Sequence, residues 1–580
     1  MRKKWEIREP ISQDVKNQYP EIDPVVLQLL YNRGITDQKQ IEQFINPDYE
    51  ADTHDPFLFQ DMQKSVERIF LAIENKEKIT IHGDYDADGV CSSAIVATIL
   101  KDLGANFDVY LPHREKEGYG VNIKTIDYLA EQGTNLIITV DCGTANIEPI
   151  ELAESKGINV IITDHHHVTE VVPKSFALIN PQNSNDNYPF VFLCGAGVAF
   201  KLAQALLQTD VKSETPKLAT GYDKWLLDLV AVATIADMMP LNDENRVLVK
   251  YGLVVMKKTR RAGLKRLLEM SGVWKDGPRD ITPFDIGFMI APRINAAGRM
   301  DHANAAYHLL MEDHWEKIED LVRQIEENNT DRRTVTERVV EEAIRQFTNV
   351  DDKYLLFAYA RGWPIGLAGL TASKLLQQYG KPVIVMTKLE DRIAGSGRSI
   401  PGFDMAKALE AHADMFETAG GHAMACGFSF SEDKTNPRDV QEMFESEAKK
   451  ALKGKDLRPE LVIDTKLAGN EINWKLYDAV VNLQPYGKAN DEPVFYSTLE
   501  VEEARTVGAG DKHLKLRLKD PKLFKSFSAI GFGLGFLGKS VHPGSQVDVA
   551  YTLDSNEWNG NKELQMKVED MNVLDKDVIF

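Results

Sequence analysis

From about residue 77 the chain alternates short apolar runs with amphipathic stretches. Residues 78–81, 107–111, 136–140, 160–162 and 177–179 read as strands, and 92–103, 123–132, 148–156 and 195–207 as helices. Near-continuous apolar strands separated by helices are the signature of a parallel sheet covered on both faces. Residues 1–75 read as mainly helical and polar, with one apolar helical stripe at 24–30. Residues 315–347 are highly charged, with Ile318, Leu321, Ile325, Val335, Val339, Val340 and Ile344 at roughly helical spacing. That pattern predicts one or two long solvated helices joining domains, without chemistry of their own. A second α/β unit follows, with strands at 354–359 and 382–387 around a helix at 369–378. From about 456 the period falls to two. In 513–519, Leu514, Leu516 and Leu518 face one way, while His513, Lys515, Arg517 and Lys519 form a basic row on the other. With 547–553 and 564–568 this predicts a small antiparallel barrel. The resulting boundaries are 1–75, 76–255, 256–348, 349–455 and 456–580.

Composition changes this picture little. The 580 residues are 43% hydrophobic and 27% charged, which suits several globular cores. The start of the chain carries positive charge without an apolar segment behind it, and no apolar run reaches membrane-spanning length, so a cytoplasmic protein is expected. Four scattered cysteines lack zinc-type spacing and fit reduced, small buried residues. The net charge of −20 argues naively against a nucleic-acid partner. Bound cations and a local basic groove offset that argument, so the charge decides nothing.

The chemistry lies at the strand ends. His82, Asp84, Asp86 and Asp88 crowd into seven positions directly after the first apolar strand. Clustered carboxylates repel one another and are costly to desolvate unless a cation neutralises them. Asp141 follows a middle strand, Asp164, His165 and His166 a third, and Asp237 ends an otherwise apolar helix. In a parallel sheet these ends converge, because ligands bind beyond the carboxyl ends of the strands. Taken singly, each residue has a plainer reading: Asp84 capping a helix, Asp237 solvated at a helix end. Their joint placement favours two divalent cations serving phosphodiester hydrolysis.

The second α/β unit carries two glycine-rich segments, 395–399 and 420–427, read as turns whose N–H groups approach an anion. Arg398 and His422 would add charge-assisted donors. Arg293, Asn295 and Arg299 either contact phosphates or hold the inter-domain segment.

His-Gly-Asp-Tyr-Asp-Ala-Asp-Gly at 82–89, Val-Asp-Cys-Gly at 140–143 and Asp-His-His at 164–166 resemble the DHH phosphoesterase superfamily. Gly-Gly-His at 420–422 resembles its companion DHH-associated domain. The order of domains, the segment 293–300 and the motif at 555–560 in an OB-like barrel narrow the resemblance to the RecJ family of single-strand-specific DNA exonucleases. The fold implied is a parallel-sheet DHH domain and a smaller α/β DHH-associated domain joined by a helical connector, followed by the OB-like β-barrel. The activity implied is 5′→3′ removal of nucleotides from single-stranded DNA with Mn²⁺ or Mg²⁺, in recombination and repair.

By the same resemblance His82, Asp86, Asp88, Asp141, His165 and Asp237 would be metal ligands, with Asp141 the bridge. Asp84 would be a ligand or a metal-linked base, His166 would contact the scissile phosphate, and Asp164 would orient a histidine. Arg114, Arg293, Ser396, Arg398, Gly421 and His422 would grip the DNA backbone, with Asn295 and Arg299 beside them. The barrel row His513, Lys515, Arg517 and Lys519 would track phosphates. The resemblance also implies a monomer working with single-strand-binding protein and a RecQ-type helicase, and no membrane.

Two features depart from the family. Pro364 follows Trp363 where the family often has histidine, and the chain stops soon after the barrel where many relatives continue. The competing readings are a nanoRNase or 3′-phosphoadenosine phosphatase acting on short substrates, against which the barrel argues, and a non-catalytic single-strand-binding scaffold. Unneutralised carboxylates argue against the scaffold.

Overall fold

The computed structural model describes residues 3–114, 117–209, 219–300, 303–390, 392–558 and 561–574. They form two compact units. The larger comprises His54–Met239 and Tyr251–Leu457, the smaller Met1–Thr53, Pro240–Lys250 and Arg458–Phe580.

The larger unit holds the predicted parallel sheet. Its strands are β1 (Lys78–Gly83), β2 (Asn106–Tyr110), β3 (Leu136–Val140), β4 (Asn159–Thr163) and β5 (Ala177–Ile179), in the order β2-β1-β3-β4-β5. Every neighbouring pair is parallel. Helix α1 (Ala87–Asp102) follows β1 and is buried on nearly every side, which explains its apolar composition. Helices α2 (Ile123–Glu131) and α3 (Ile147–Ser155) pack Ile126, Leu129, Ile150 and Ala153 against Ile137, Val160 and Ile162 of the sheet. Helices α4 (Gly195–Gln208) and α5 (Leu227–Ala236) lie against α1. From β1 the chain turns outward to β2 and then back across to β3. The carboxyl ends of β1 and β3 therefore flank the point where strand order reverses, the place where such sheets bind ligands.

Helices α6 (Ala291–Met300) and α7 (Trp315–Ile344) lead to a second sheet. The expectation of solvated connector helices is corrected here. α7 is one continuous helix, and it buries Ile318, Val322, Ile325, Asn329, Thr336, Val339 and Ala343. Two of its acids are anchored as well: Glu326 pairs with Arg293 at 2.6 Å, and Glu342 accepts from the Trp363 indole at 2.7 Å. A long amphipathic helix in a charged sequence can hide a packed stripe, and local composition does not reveal which neighbours will cover it.

The second sheet contains β6 (Leu356–Arg361), β7 (Val383–Lys388), β8 (Ile393–Arg398), β9 (Thr418–His422) and β10 (Ala425–Phe430), with α8 (Ile365–Tyr379) packed on it. The order is β9-β10-β8-β7-β6, and only β6–β7 is parallel. This corrects the reading of the glycine-rich segments as turns. The glycines lie in paired strands, with Gly397 opposite Cys426, Ser396 opposite Gly427, and Gly420 opposite Gly427 on its other side; only Ala423 and Met424 of the second segment form a turn, the tip of a hairpin. The glycines there mark close packing: a Cβ on Gly395 would lie 2.5 Å from the Phe428 ring.

In the smaller unit the strands Phe495–Val507, His513–Asp520, Lys525–Gly531, Gln546–Trp558 and Asn561–Val573 close into a barrel, because the first pairs with the fourth. The expected antiparallel pattern fails at one place: Lys525–Gly531 and Asn561–Val573 run parallel. Leu514, Leu516 and Leu518 are buried in the core, as the period-two pattern predicts. Residues read as helical at the N-terminus add a strand, Lys4–Ile7, parallel to Glu460–Ile463. The helix Pro24–Asn32 contributes Val25, Val26, Leu27, Leu29 and Leu30 to the barrel's own core.

That shared core makes a prediction. Leu27, fully buried, truncated to alanine should cost the barrel-bearing unit about 2–5 kcal/mol. Hydrogen exchange at the barrel strands would report it, with β1–β5 protection unchanged. Unaltered barrel protection would mean that the helix does not support the barrel.

Candidate active site

Local backbone chemistry places each acidic residue. β1 ends at Gly83, and Asp86 caps α1 by accepting from the N–H groups of Asp88 and Gly89 at 2.9 and 3.2 Å. Asn295 on α6 accepts the next N–H, from Ala87, at 2.8 Å. Asp141 follows β3 with φ +60°, a left-handed backbone unusual for a residue with a Cβ. Its N–H donates to the Thr163 carbonyl at 3.0 Å. The first residue of α4 is Gly195, where a Cβ would lie 2.6 Å from the Asp141 Cβ and 2.7 Å from its Oδ1. Only glycine permits that approach. The N–H groups of Gly195 and Ala196, at the positive end of α4, each donate to Asp88 at 2.7 Å.

The result is a buried acidic centre. His165 Nε2 lies 3.1 Å from Asp141 Oδ1, 3.7 Å from Asp88 Oδ2 and 3.8 Å from Asp237 Oδ2. Three overlapping sets have ligand atoms close enough to hold a cation: Asp84, Asp86 and Asp141; Asp141, His165 and His166; Asp88, His165 and Asp237. Asp141 belongs to two of them. Burial pushes the carboxyls of Asp84 and Asp141 well above the ordinary range, and neighbouring carboxylates add to the shift. Asp84 Oδ1, Asp141 Oδ1 and His165 Nδ1 are buried and make no hydrogen bond. Orphaned carboxylate oxygens around imidazole nitrogens fit Mn²⁺ or Mg²⁺.

His82 stands outside these three sets. It is fully buried, stacks on Tyr110, and has Nδ1 3.7 Å from the Cys142 sulfur. Burial lowers its pKa to about 4, leaving a neutral imidazole whose Nε2 has no partner.

His166 has the opposite character. Burial would lower its pKa, but Asp164, whose Oδ1 lies 2.8 Å from Nδ1, overrides this and raises it to about 9. Asp164 also accepts from the backbone of His165 and His166 and, through Oδ2, from Thr144 at 2.9 Å. It is thereby held below the usual carboxylate range despite burial. Three residues escaped sequence reasoning. The Tyr119 hydroxyl lies 3.0 Å from His166 Nδ1 and donates to the Asp141 carbonyl at 3.2 Å. Asn180 donates to the His166 carbonyl at 2.9 Å, and Gln182 to that of His165. Asn180 directly follows β5, so the strand-end rule had the means to find it; Tyr119 sits in a loop that carries no such signal.

The basic residues divide. The Arg114 guanidinium lies 5.0 Å above the Tyr85 ring, beside the acidic motif. Arg299 donates to the Gly366 carbonyl at 2.8 Å, and burial pushes its pKa down to about 10. Arg293 is bonded to Glu326 and to the Met289 carbonyl. Arg398 bonds Ser396 Oγ at 3.2 Å, and Gly369 of α8 leaves them room. Ala425 pairs with both Arg398 and His422, so these two share one level across the sheet. Gly421 has φ +136°, and a Cβ there would strike the Ala425 carbonyl.

In the smaller unit the basic row is partly neutralised. Arg517 lies 3.2 Å and Lys519 3.9 Å from Glu502. His513 accepts from Gly533 N–H at 3.1 Å, and of the Ser555-to-560 motif residues 559 and 560 lie outside the described residues.

A parallel sheet bearing this acidic centre, joined to a mixed sheet bearing Gly-Gly-His, defines a protein of the DHH class. The DHH family N-terminal domain model matches residues 78–234, and the DHHA1 domain model residues 352–453. The RecJ OB domain model matches 463–570. A Bacillus subtilis relative named single-stranded-DNA-specific exonuclease RecJ is 35% identical over 98% of this chain and 70% of its own length. The Escherichia coli protein of the same name is 31% identical over 95% of this chain and 96% of its own length. The crystal structure of Thermus thermophilus RecJ in complex with Mn²⁺ is 26% identical, covers 98% of this chain and 79% of that one, and superposes with a TM-score of 0.82. A second structure of that protein holds Mg²⁺. The chain belongs to the RecJ family.

The Asp164–His166 pair gives a pH prediction. In metal-stripped protein the His166 pKa is raised, so its stabilising contribution is complete below pH about 6.5 and is lost as pH rises through about 9. NMR should show this ring titrating near 9, and Asp164→Asn should return it toward 6.5. An unchanged titration would remove Asp164 as the cause.

Proposed function

We propose that this chain hydrolyses phosphodiester bonds of single-stranded DNA in the 5′→3′ direction, releasing 5′-mononucleotides in recombination and repair. One observation carries the reading: five aspartates and His165 gathered at the strand-order reversal with orphaned buried oxygens, in a chain of the RecJ family. Two divalent cations would neutralise these carboxylates, polarise the scissile phosphate and lower the pKa of the attacking water. Asp86, Asp88, Asp141, His165, Asp237 and His82 would hold them, with Asp141 shared and Asp84 a ligand or a proton acceptor beside them.

The chain's own groups then divide the remaining work. Water adds to the phosphorus of the second nucleotide, and the bond to the first nucleotide's 3′-oxygen breaks. His166 donates to a phosphate oxygen, and Asp164, hydrogen-bonded to Nδ1, fixes its ring. Arg114, Arg299, Ser396, Arg398, Gly421 and His422 position backbone phosphates, while Asn295 supports the acidic loop. The barrel row binds the same strand through Lys515 and its neighbours. A monomer in the cytoplasm acting with single-strand-binding protein and a RecQ-type helicase completes the proposal. It is consistent with the finding that no helix among the described residues is long and apolar enough to cross a membrane.

The test uses a 5′-phosphorylated oligonucleotide labelled at either end, with Mn²⁺, beside its duplex and a dinucleotide. Immediate release of 5′-terminal mononucleotide from the single strand alone is expected; rapid cleavage of the dinucleotide with the long strand intact would point to a nanoRNase instead. Asp141→Asn should abolish cleavage without unfolding the protein, and Asp164→Asn should slow it about 10–100-fold. Normal turnover in Asp141→Asn would sink the ligand assignment.

The barrel has its own check. Replacing Lys515 and Arg517 by alanine should lower the slope of log affinity against log salt by about 1.4 for a long strand, roughly 0.7 per phosphate contact. An unchanged slope would remove the row from DNA binding.

A further inference from the structure

Residues 257–266 read Lys-Lys-Thr-Arg-Arg-Ala-Gly-Leu-Lys-Arg, six basic positions in ten on a chain of net charge −20. Two of the six do not line the cavity described below: Arg260 lies 3.6 Å above the Trp225 ring, and Arg261 reaches buried Asp228 at 3.6 Å. The other four, Lys257, Lys258, Lys265 and Arg266, line a cavity of about 670 Å³ together with Lys275. Lys257 is matched by Asp280 at 2.8 Å, and Arg266 by Glu319 and Glu269. Lys258, Lys265 and Lys275 are exposed on its rim, and none lies in an ion pair among the described residues. Three unmatched ammonium groups at one concavity repel one another, so an anion there is stabilised.

Trp274 forms part of the wall and is 5% exposed. Its indole N–H is buried without an acceptor, a condition that native structures rarely leave unmet. The cavity stands apart from the acidic centre. Arg261, in the same basic run, reaches Thr98 near the far end of α1, and ten helical residues separate Thr98 from Asp88, about 15 Å along the axis.

We propose that this cavity binds a nucleoside polyphosphate. A single phosphate needs fewer cations than the rim supplies, whereas vicinal phosphates engage several lysines at once. The volume falls within the range of small-molecule sites and accommodates a nucleoside as well as its phosphates. A phosphate-tracking surface for extended DNA would be a continuous row of cations; this site is a single concavity walled in part by Trp274, Gly277 and Pro278.

The test is calorimetric titration of GDP, ADP and inorganic pyrophosphate into full-length protein held in EDTA, which keeps metal-bridged phosphate out of the acidic centre. One-to-one nucleotide binding is expected, weakened about tenfold or more in Lys258→Glu/Lys265→Glu. That variant should keep wild-type exonuclease rates, which also shows that it folds. The charge-conserving Lys258→Arg/Lys265→Arg should bind as wild type does. Equal binding of pyrophosphate and nucleotides would reduce the site to a diphosphate site and overturn the nucleoside assignment. No binding to wild type, or undiminished binding in the charge-reversed variant, would overturn the proposal entirely.

Discussion

Mutual repulsion among buried carboxylates governs the larger unit. Asp84, Asp88 and Asp141 lie almost wholly out of water, and Asp84 and Asp88 both act on Asp141. Such a group costs several kcal/mol per uncompensated charge, so the surrounding fold has to hold it together. It does so with fixed dipoles and steric permission. The positive end of α4 donates two N–H groups to Asp88, and Asp86 takes two from the start of α1. Gly195 lets α4 close onto Asp141 with no Cβ between them. The left-handed backbone of Asp141 is a local strain accepted for the sake of the same approach. None of this neutralises the centre completely. The orphaned oxygens are the remainder, and a hard cation is the chemistry that removes it.

The same constraint separates two adjacent histidines, His165 and His166. His165 points Nε2 among the carboxylates of Asp88, Asp141 and Asp237, and its Nδ1 is buried without a hydrogen bond. His166, its immediate neighbour, is paired with Asp164 and stays protonated. Adjacent residues of one type thus shift in opposite directions: burial lowers the pKa of His165, whereas the hydrogen bond to Asp164, itself held by Thr144, raises that of His166. Electrostatic division of labour of this kind is what phosphoryl chemistry needs: neutral donors for the cation, a charged donor for the phosphate.

Packing beyond the centre fixes how the second sheet meets the first. Arg299 bonds the first turn of α8, Asn295 caps α1, and Arg293 ties α6 to α7. Three polar residues on one short helix therefore brace the acidic loop, the connector and the second sheet. Arg293 and Asn295 hydrogen-bond within the protein, while Arg299, beside Arg114, Tyr85 and Asp86, is electrostatically coupled to the centre.

Sequence alone determined the parallel sheet, because most of its strands are apolar on both faces and are separated by helical patterns, and local patterning records burial of that kind. It also determined the acidic and histidine clusters, since few other uses exist for three aspartates in five positions, 84 to 88. The inward leucines 514, 516 and 518 were legible for the same reason: period two fixes a face. Tertiary structure decided the rest. Whether a glycine marks a turn or a close-packed strand depends on what lies across from it, as Phe428 does from Gly395. Whether α7 is solvated depends on neighbours distant in sequence, and so does the choice of Arg293 for Glu326. The parallel strand pair in the barrel and the apolar helix 24–32 inside its core are long-range pairings that no local window contains. Periodicity reports what one segment needs to bury; only the folded chain specifies which partner buries it.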